Sequence, residues 1–163
     1  MALSTFPTTN KTSNWQTSLE IYTEVEIAAK AEKVWSILTN FNDYINWNPF
    51  IVKAEGKIHQ GAKITIHVQP PGLKSMVFNP TIIKTEENRT LVWEGKFILP
   101  GMFDGEHTYI IEELGNQGVR LIQKETYTGL LIPFLAKKLS KNTRGGFELM
   151  NQAIKNLAES QPS

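Results

Sequence analysis

The chain has no cysteine. Disulfides, thiolate nucleophiles and cysteine metal sites are therefore excluded. Long apolar runs are also missing. No stretch approaches the roughly 18 residues of a membrane-spanning helix, so no integral membrane association is expected. The N-terminus lacks the basic start and apolar core of a secretory signal, and from these absences we expect a cytoplasmic protein. Excess charge is scarce: 17 Lys and Arg against 16 Asp and Glu give +1, which implies no strong electrostatic partner overall. His59, His67 and His107 have no metal-ligand spacing. No Walker sequence, nucleotide-binding glycine fingerprint or G-x-S-x-G elbow occurs. Neither a metal nor a cofactor is expected.

What is present is one domain's worth of chain, 163 residues, with 40% hydrophobic content. That length allows a sizeable core. Met1–Thr17 is rich in Ser, Thr and Asn, without apolar period, and reads as a flexible arm, with Trp15 as the exception that would pack back on the domain. The domain is expected over 18–160. Leu19–Ile27 alternates apolar and polar residues as a half-buried strand does. The period then changes: Ala31, Val34, Trp35 and Leu38 mark a short amphipathic helix, and Phe41–Trp47 a second, ended by Pro49. Alternation returns in Phe50–Ile58, Ala62–Gln69, Ser75–Lys84, Thr90–Ile98, Gly105–Glu113 and Val119–Thr128. Pro80 within the third of these suggests an edge or a bulge. Short turns separate the six strands, which predicts an antiparallel meander.

Pro133–Glu159 is a long amphipathic helix. Leu135, Leu139, Asn142, Gly146, Met150, Ala153 and Leu157 share one stripe, flanked by Thr143, Phe147 and Ile154. Gly145-Gly146 lowers helix propensity and allows a sheet or a ligand to approach the helix backbone. Lys137, Lys138, Lys141 and Arg144 form a basic strip on its first half. A solvated face is the commoner account of such a strip; acidic lipid head groups or phosphates are the alternative. Interleaved exposed aromatics are absent from this face, so nucleic acid is not expected as a partner. The fold class is α+β: a seven-stranded curved antiparallel sheet around one long C-terminal helix, with two short helices after the first strand.

Four segments carry a resemblance to a known family: VEIAAKAEKVWSILTNFNDYINWNPFI (Val25–Ile51), LVWEGKFILPGMFDGEHTYIIEEL (Leu91–Leu114), ETYTGLLIP (Glu125–Pro133) and TRGGFELMNQAIK (Thr143–Lys155). Together they resemble the START-like or SRPBCC superfamily, also called birch-pollen-allergen-like, and within it the bacterial polyketide cyclase/dehydrase and lipid-transport grouping. The resemblance covers Leu19–Glu159 and implies the helix-grip fold. One departure is visible. Similar members often carry a proline after the tyrosine of Y-P-x-W-N-P, where this chain has Ile45, which predicts a looser lead into the Trp47 segment.

The resemblance also implies a ligand cavity between sheet and long helix. Phase assigns Phe50, Ile66, Met76, Phe78, Trp93, Phe97, Leu135, Leu139, Gly146 and Met150 to its apolar lining, with filling of a solid core as the alternative. His107, Tyr109, Gln123, Glu125 and Tyr127 share the inward phase on the last two strands, and Asn142 joins them from the helix. Three readings of this polar set stay open: a structural network, an anchor for a ligand's polar head, or acid–base catalysis by His107 and Glu125 with Tyr109 or Tyr127 polarising an oxygen. Asp104 and Glu106 read as a solvated turn.

The first functional expectation is binding or carriage of a hydrophobic small molecule, a lipid, polyketide or aromatic compound. The alternative is a polyketide cyclase or dehydratase acting in the same cavity. A third class is an interaction protein using the basic helix face and the Pro100–Phe103 loop toward a protein partner.

Overall fold

The computed structural model describes residues 17–96 and 99–160. The expected N-terminal arm up to residue 16, with Trp15, lies outside the described residues, as does Phe97 of the expected lining. The elements run β1 (Ser18–Ile27), α1 (Ala31–Thr39), a 3-10 turn (Phe41–Asp43), α2 (Tyr44–Trp47), β2 (Ile51–Glu55), β3 (Thr65–Val68), β4 (Met76–Phe78), β5 (Thr81–Glu86), β6 (Thr90–Lys96), β7 (Asp104–Glu113), β8 (Val119–Thr128) and α3 (Ile132–Ser160). This is the expected helix-grip α+β arrangement, with one difference in strand count. The single strand expected over Ser75–Lys84 is split into β4 and β5 at Asn79-Pro80. A proline has no N–H for the ladder, and the chain uses it to turn from one sheet to the next.

All pairings are antiparallel. One sheet has the order β1-β8-β7-β6-β5 and the other β2-β3-β4. They join where segment 61–64 runs beside the start of β5. Gly61 N–H donates to Ile82 O (2.7 Å), Ile82 N–H to Ala62 O (2.9 Å) and Ile64 N–H to Pro80 O (3.0 Å). The result is one curved surface with α3 lying in its concavity.

The second half of α3 packs tightly. Its buried residues are Thr143, Gly146, Phe147, Met150, Asn151, Ile154 and Ala158, with Ile132 at the start. The expected flank, Thr143, Phe147 and Ile154, is therefore the centre of the buried face, while Leu135, Leu139 and Asn142 are only half-buried. β1 is a sheet edge, and α3 side chains cover its carbonyls: Arg144 donates to Tyr22 O (3.0 Å) and Lys155 to Glu26 O (2.6 Å). An edge capped in this way offers fewer free acceptors to another strand. Arg144 thus leaves the basic strip expected from sequence.

The α2 region is firmly held despite Ile45, which is 70% exposed. Tyr44 is fully buried, its hydroxyl donates to Leu38 O (2.6 Å), and its ring meets Phe41 and Trp47 edge-on. Asn48 then turns the chain into β2. Its Oδ1 accepts the N–H groups of Phe50 (3.0 Å) and Ile51 (2.9 Å), and its Nδ2 donates to Met150 Sδ (3.4 Å).

Candidate functional site

Strand register builds the inner face of the large sheet in rows. Trp93 pairs with His107 and His107 with Glu125, across β6, β7 and β8. The next row toward one end is Leu91, Tyr109 and Gln123. The row toward the other end is Gly95, Gly105 and Tyr127. Two glycines side by side leave the concave face without side chains there, and a cavity of about 310 Å³ opens in this region. Trp93, Gly95, His107, Glu125 and Tyr127 line it from the large sheet. Ile66, Met76 and Phe78 line it from the small sheet, Phe50 from the start of β2, and Leu135, Leu139 and Asn142 from α3.

Four expected residues stand elsewhere. Tyr109 is 1% exposed and its hydroxyl donates to Met150 Sδ (3.6 Å). Met150 is itself fully buried, its sulfur taken by Tyr109 and Asn48, so both belong to the packed core. Gln123 Nε2 donates to Asn151 Oδ1 (2.6 Å), and Asn151 Nδ2 donates to Thr23 Oγ1 (3.1 Å), a buried chain linking sheet and helix. Gly146 faces a side chain of this protein: a Cβ there would fall 2.1 Å from Phe50 Cδ2. The close approach anticipated at this glycine is therefore made by the Phe50 ring. Asp104 and Glu106 lie in β7, where Asp104 Oδ2 accepts the Gly101 N–H (2.9 Å).

Other cavity residues escaped the sequence reading. Phe147, Thr143 and Lys138 line it from α3, and Phe103 from the β6–β7 loop. Phe147 and Thr143 fall on the flank of the expected stripe, and Lys138 on the basic strip. Phe103 lay in a loop without period, so only its aromatic character could have signalled it.

The polar part of the site is compact. His107 Nδ1 lies 2.9 Å from Glu125 Oε2, with both residues over nine-tenths buried. The imidazole is clamped by rings: Trp93 stacks on it (4.9 Å, 23°) and Phe147 meets it edge-on (4.9 Å, 76°). A carboxylate on Nδ1 keeps the proton there and fixes the ring's orientation. Nε2 is buried and has no hydrogen-bond partner among the described residues. The Tyr127 hydroxyl lies 2.9 Å from Thr143 Oγ1, and its ring stacks on Phe103. Burial, and then the nearby Glu125 charge, push the Tyr127 hydroxyl well above the ordinary tyrosine range, so it stays protonated. One lining thus brings together a largely apolar chamber, the His107–Glu125 pair and the Tyr127–Thr143 hydroxyls.

His59 and His67 stand away from this chamber. Among the described residues no three His, Asp or Glu side chains are placed to hold a metal ion. Nor is any described helix long and apolar enough to cross a membrane.

No curated protein sequence matches this chain. Solved structures do. The Zhui aromatase/cyclase from Streptomyces sp. R1128 is similar with a TM-score of 0.68 at 18% identity, over 87% of this chain and 94% of that one. Truncated norcoclaurine synthase from Thalictrum flavum gives 0.67 at 16% identity, over 89% and 96%. The di-domain aromatase/cyclase StfQ of the steffimycin biosynthetic pathway gives 0.65 at 12% identity over 88% of this chain, which spans 51% of StfQ. At such identities the likeness is one of fold. The family model described as polyketide cyclase / dehydrase and lipid transport matches residues 18–159, and the chain belongs to that family.

Proposed function

We propose that the chain binds and carries a hydrophobic small molecule, a lipid, polyketide or aromatic compound, between sheet and α3. The observation that carries this reading is the largely apolar cavity between sheet and helix, with the buried His107–Glu125 pair in its lining and His107 Nε2 unpartnered among the described residues. Leaving a buried polar atom unpaired costs about 1–3 kcal/mol. An oxygen of the guest placed against Nε2 would offset that cost, while apolar burial supplies most of the affinity. At about 310 Å³ the chamber lies at the lower end of the size range of small-molecule sites. The test is native mass spectrometry of the protein purified from its own host, followed by denaturing extraction. Titration with an anthraquinone and with a fluorescent fatty acid, read by tryptophan quenching, completes it. A bound apolar compound, or saturable quenching that weakens in Trp93→Ala, is expected. Bare protein mass with no quenching by either compound would refute carriage.

The His107–Glu125 pair favours one second reading, an aldol cyclase or dehydratase acting on a poly-β-ketone. The similarity to aromatase/cyclases supports it. Nε2 would take the proton from a carbon between two carbonyls. That carbanion would attack a further carbonyl carbon of the same chain, and the resulting alkoxide would recover the proton from the imidazolium. Nε2 would then take a second proton from the carbon beside the new alcohol and return it to the departing hydroxide, which leaves as water. Enolisation of the remaining carbonyls completes the aromatic ring. Glu125 would hold Nδ1–H throughout. A His107→Gln variant that still binds a linear poly-β-ketone thioester should then lose the rise in aromatic absorbance. Wild-type turnover in that variant would remove the catalytic reading and leave carriage standing.

A further inference from the structure

The β6–β7 loop and the β8–α3 loop are stitched together by their backbones. Leu130 N–H donates to Gly101 O (3.2 Å) and Leu131 N–H to Met102 O (3.1 Å). Gly129 lets them close, since a Cβ there would fall 2.4 Å from Met102 O. Large apolar side chains nevertheless stand in solvent on this joined tip: Leu99 and Leu130 are each 64% exposed and Phe134 is 74% exposed. Isolated apolar residues on a surface need no explanation, but a group of them on one feature marks an interaction site.

The charge beside this tip has one sign. Lys137, Lys138 and Lys141 follow Phe134 at i+3, i+4 and i+7, on the same face of α3. All three are exposed, and no acidic side chain among the described residues pairs with them. Residues 129–147 contain no Asp or Glu. Asp104, at the start of β7, is engaged with the Gly101 N–H. Lys138 also lines the cavity, as does Phe103 at the end of the same loop, so the tip adjoins the chamber.

The geometry points to peripheral docking of this tip on an anionic lipid surface. Leu99, Leu130 and Phe134 enter the headgroup boundary while the three lysines meet acidic headgroups. Apolar side chains that insert and lysines that stay at headgroup level are the combination a bilayer surface takes up. The exposed Phe134 corrects the expectation of a basic face without aromatics, but a nucleic acid that met the lysines and this ring would leave Leu99 and Leu130 unexplained. This inference needs no guest in the cavity, so it stands or falls apart from carriage.

The test is co-sedimentation with vesicles of phosphatidylcholine containing phosphatidylserine, against phosphatidylcholine alone. The protein should pellet with the mixed vesicles and be released by salt. Lys137→Gln with Lys141→Gln should weaken binding about 25-fold, at about fivefold per lysine. Phe134→Ser with Leu130→Ser should abolish it even at low salt, with Leu99→Ser as an independent variant on the other loop. Thermal melts and anthraquinone titration of the same variants should match wild type. Failure of the wild type to pellet with either vesicle overturns the inference. So does binding that survives loss of the apolar residues. Retention on heparin by wild type and apolar variants alike, without vesicle binding, assigns the surface to a polyanion and overturns it too.

Discussion

Gly145 and Gly146 are adjacent in α3, yet adding one methyl group to each should move stability in opposite directions. Replacing a glycine inside a helix by alanine gains about 1 kcal/mol from backbone entropy. At Gly145 nothing opposes that gain, because the new Cβ would meet only Pro71 Cγ at 3.8 Å, an ordinary contact. Gly145→Ala should therefore raise the melting temperature by about 2–4 °C for a domain of this size. At Gly146 the new Cβ would lie 2.1, 2.2 and 2.7 Å from Cδ2, Cε2 and Cγ of Phe50. That ring is 6% exposed and packs edge-on against Phe147 at 5.7 Å, so it moves only by swinging into the cavity. Overpacking of this kind costs about 1–3 kcal/mol, and three ring atoms inside contact distance put it in the upper half of that range. After the propensity gain, Gly146→Ala should destabilise by about 1–2 kcal/mol. It should also weaken binding of the anthraquinone, because the displaced ring occupies the guest's space. Urea melts of both variants, repeated on a Phe50→Ala background, make the check. With the ring gone, Gly146→Ala should become stabilising by about 1 kcal/mol, a sign reversal that a double-mutant cycle reads directly. If Gly146→Ala is as stabilising as Gly145→Ala while Phe50 is present, the packing argument is wrong.

Asn151→Ala removes both the acceptor for Gln123 and the donor to Thr23. It should cost about 1–3 kcal/mol in urea melts, whereas Gln123→Leu combined with Asn151→Leu, which removes both amides, should cost less than Asn151→Ala. The Lys155 hydrogen bond, and then the Ala28 N–H, hold the Glu159 carboxyl below its ordinary range. Its contribution is therefore present above the unfolded carboxyl value and fades as pH falls through the lower folded value. The melting-temperature gap between wild type and Glu159→Gln should be constant near neutrality and close in acid. Burial raises the hydroxyls of Tyr44, Tyr109 and Tyr127 well above the usual tyrosine range. For these groups the neutral form is the one the fold favours, so their contribution is complete below the unfolded value and is lost only as pH rises past it. Alkaline absorbance titration should show these three ionising together with loss of far-ultraviolet ellipticity, and earlier ionisation of any of them in the folded protein would contradict the packing.

The strands were readable because one face of each is buried, and a period of two survives wherever that holds. Ser75–Lys84 was the exception, where Pro80 carries the chain between sheets. Length and amphipathicity of α3 were equally plain, but its phase was not. The first half of the helix lines a cavity through Leu135, Leu139 and Asn142, while the second half packs on the sheet, Asn151 bonding to Gln123 of β8 and Thr23 of β1. A single stripe drawn through both halves fits neither. Asn151 escaped notice for a related reason: its partners lie 28 and 128 residues away in sequence. His107 and Glu125 could be placed on neighbouring strands from the hairpin, but register alone makes them direct partners. Which inward residues meet space and which meet one another depends on rows across several strands, and no local pattern contains a row.

Gly95 and Gly105 are paired across β6 and β7, in the row beside Trp93 and His107. Neither has the positive φ that would bar another residue. On the carriage proposed above, room for a guest is set at the glycine row, where Gly95 lines the cavity, and polar recognition would come from the row beside it. Capacity and chemistry can drift independently. On that reading a methyl at Gly95 would shorten the berth one row away from the imidazole, so a single substitution would exchange one guest for a smaller one.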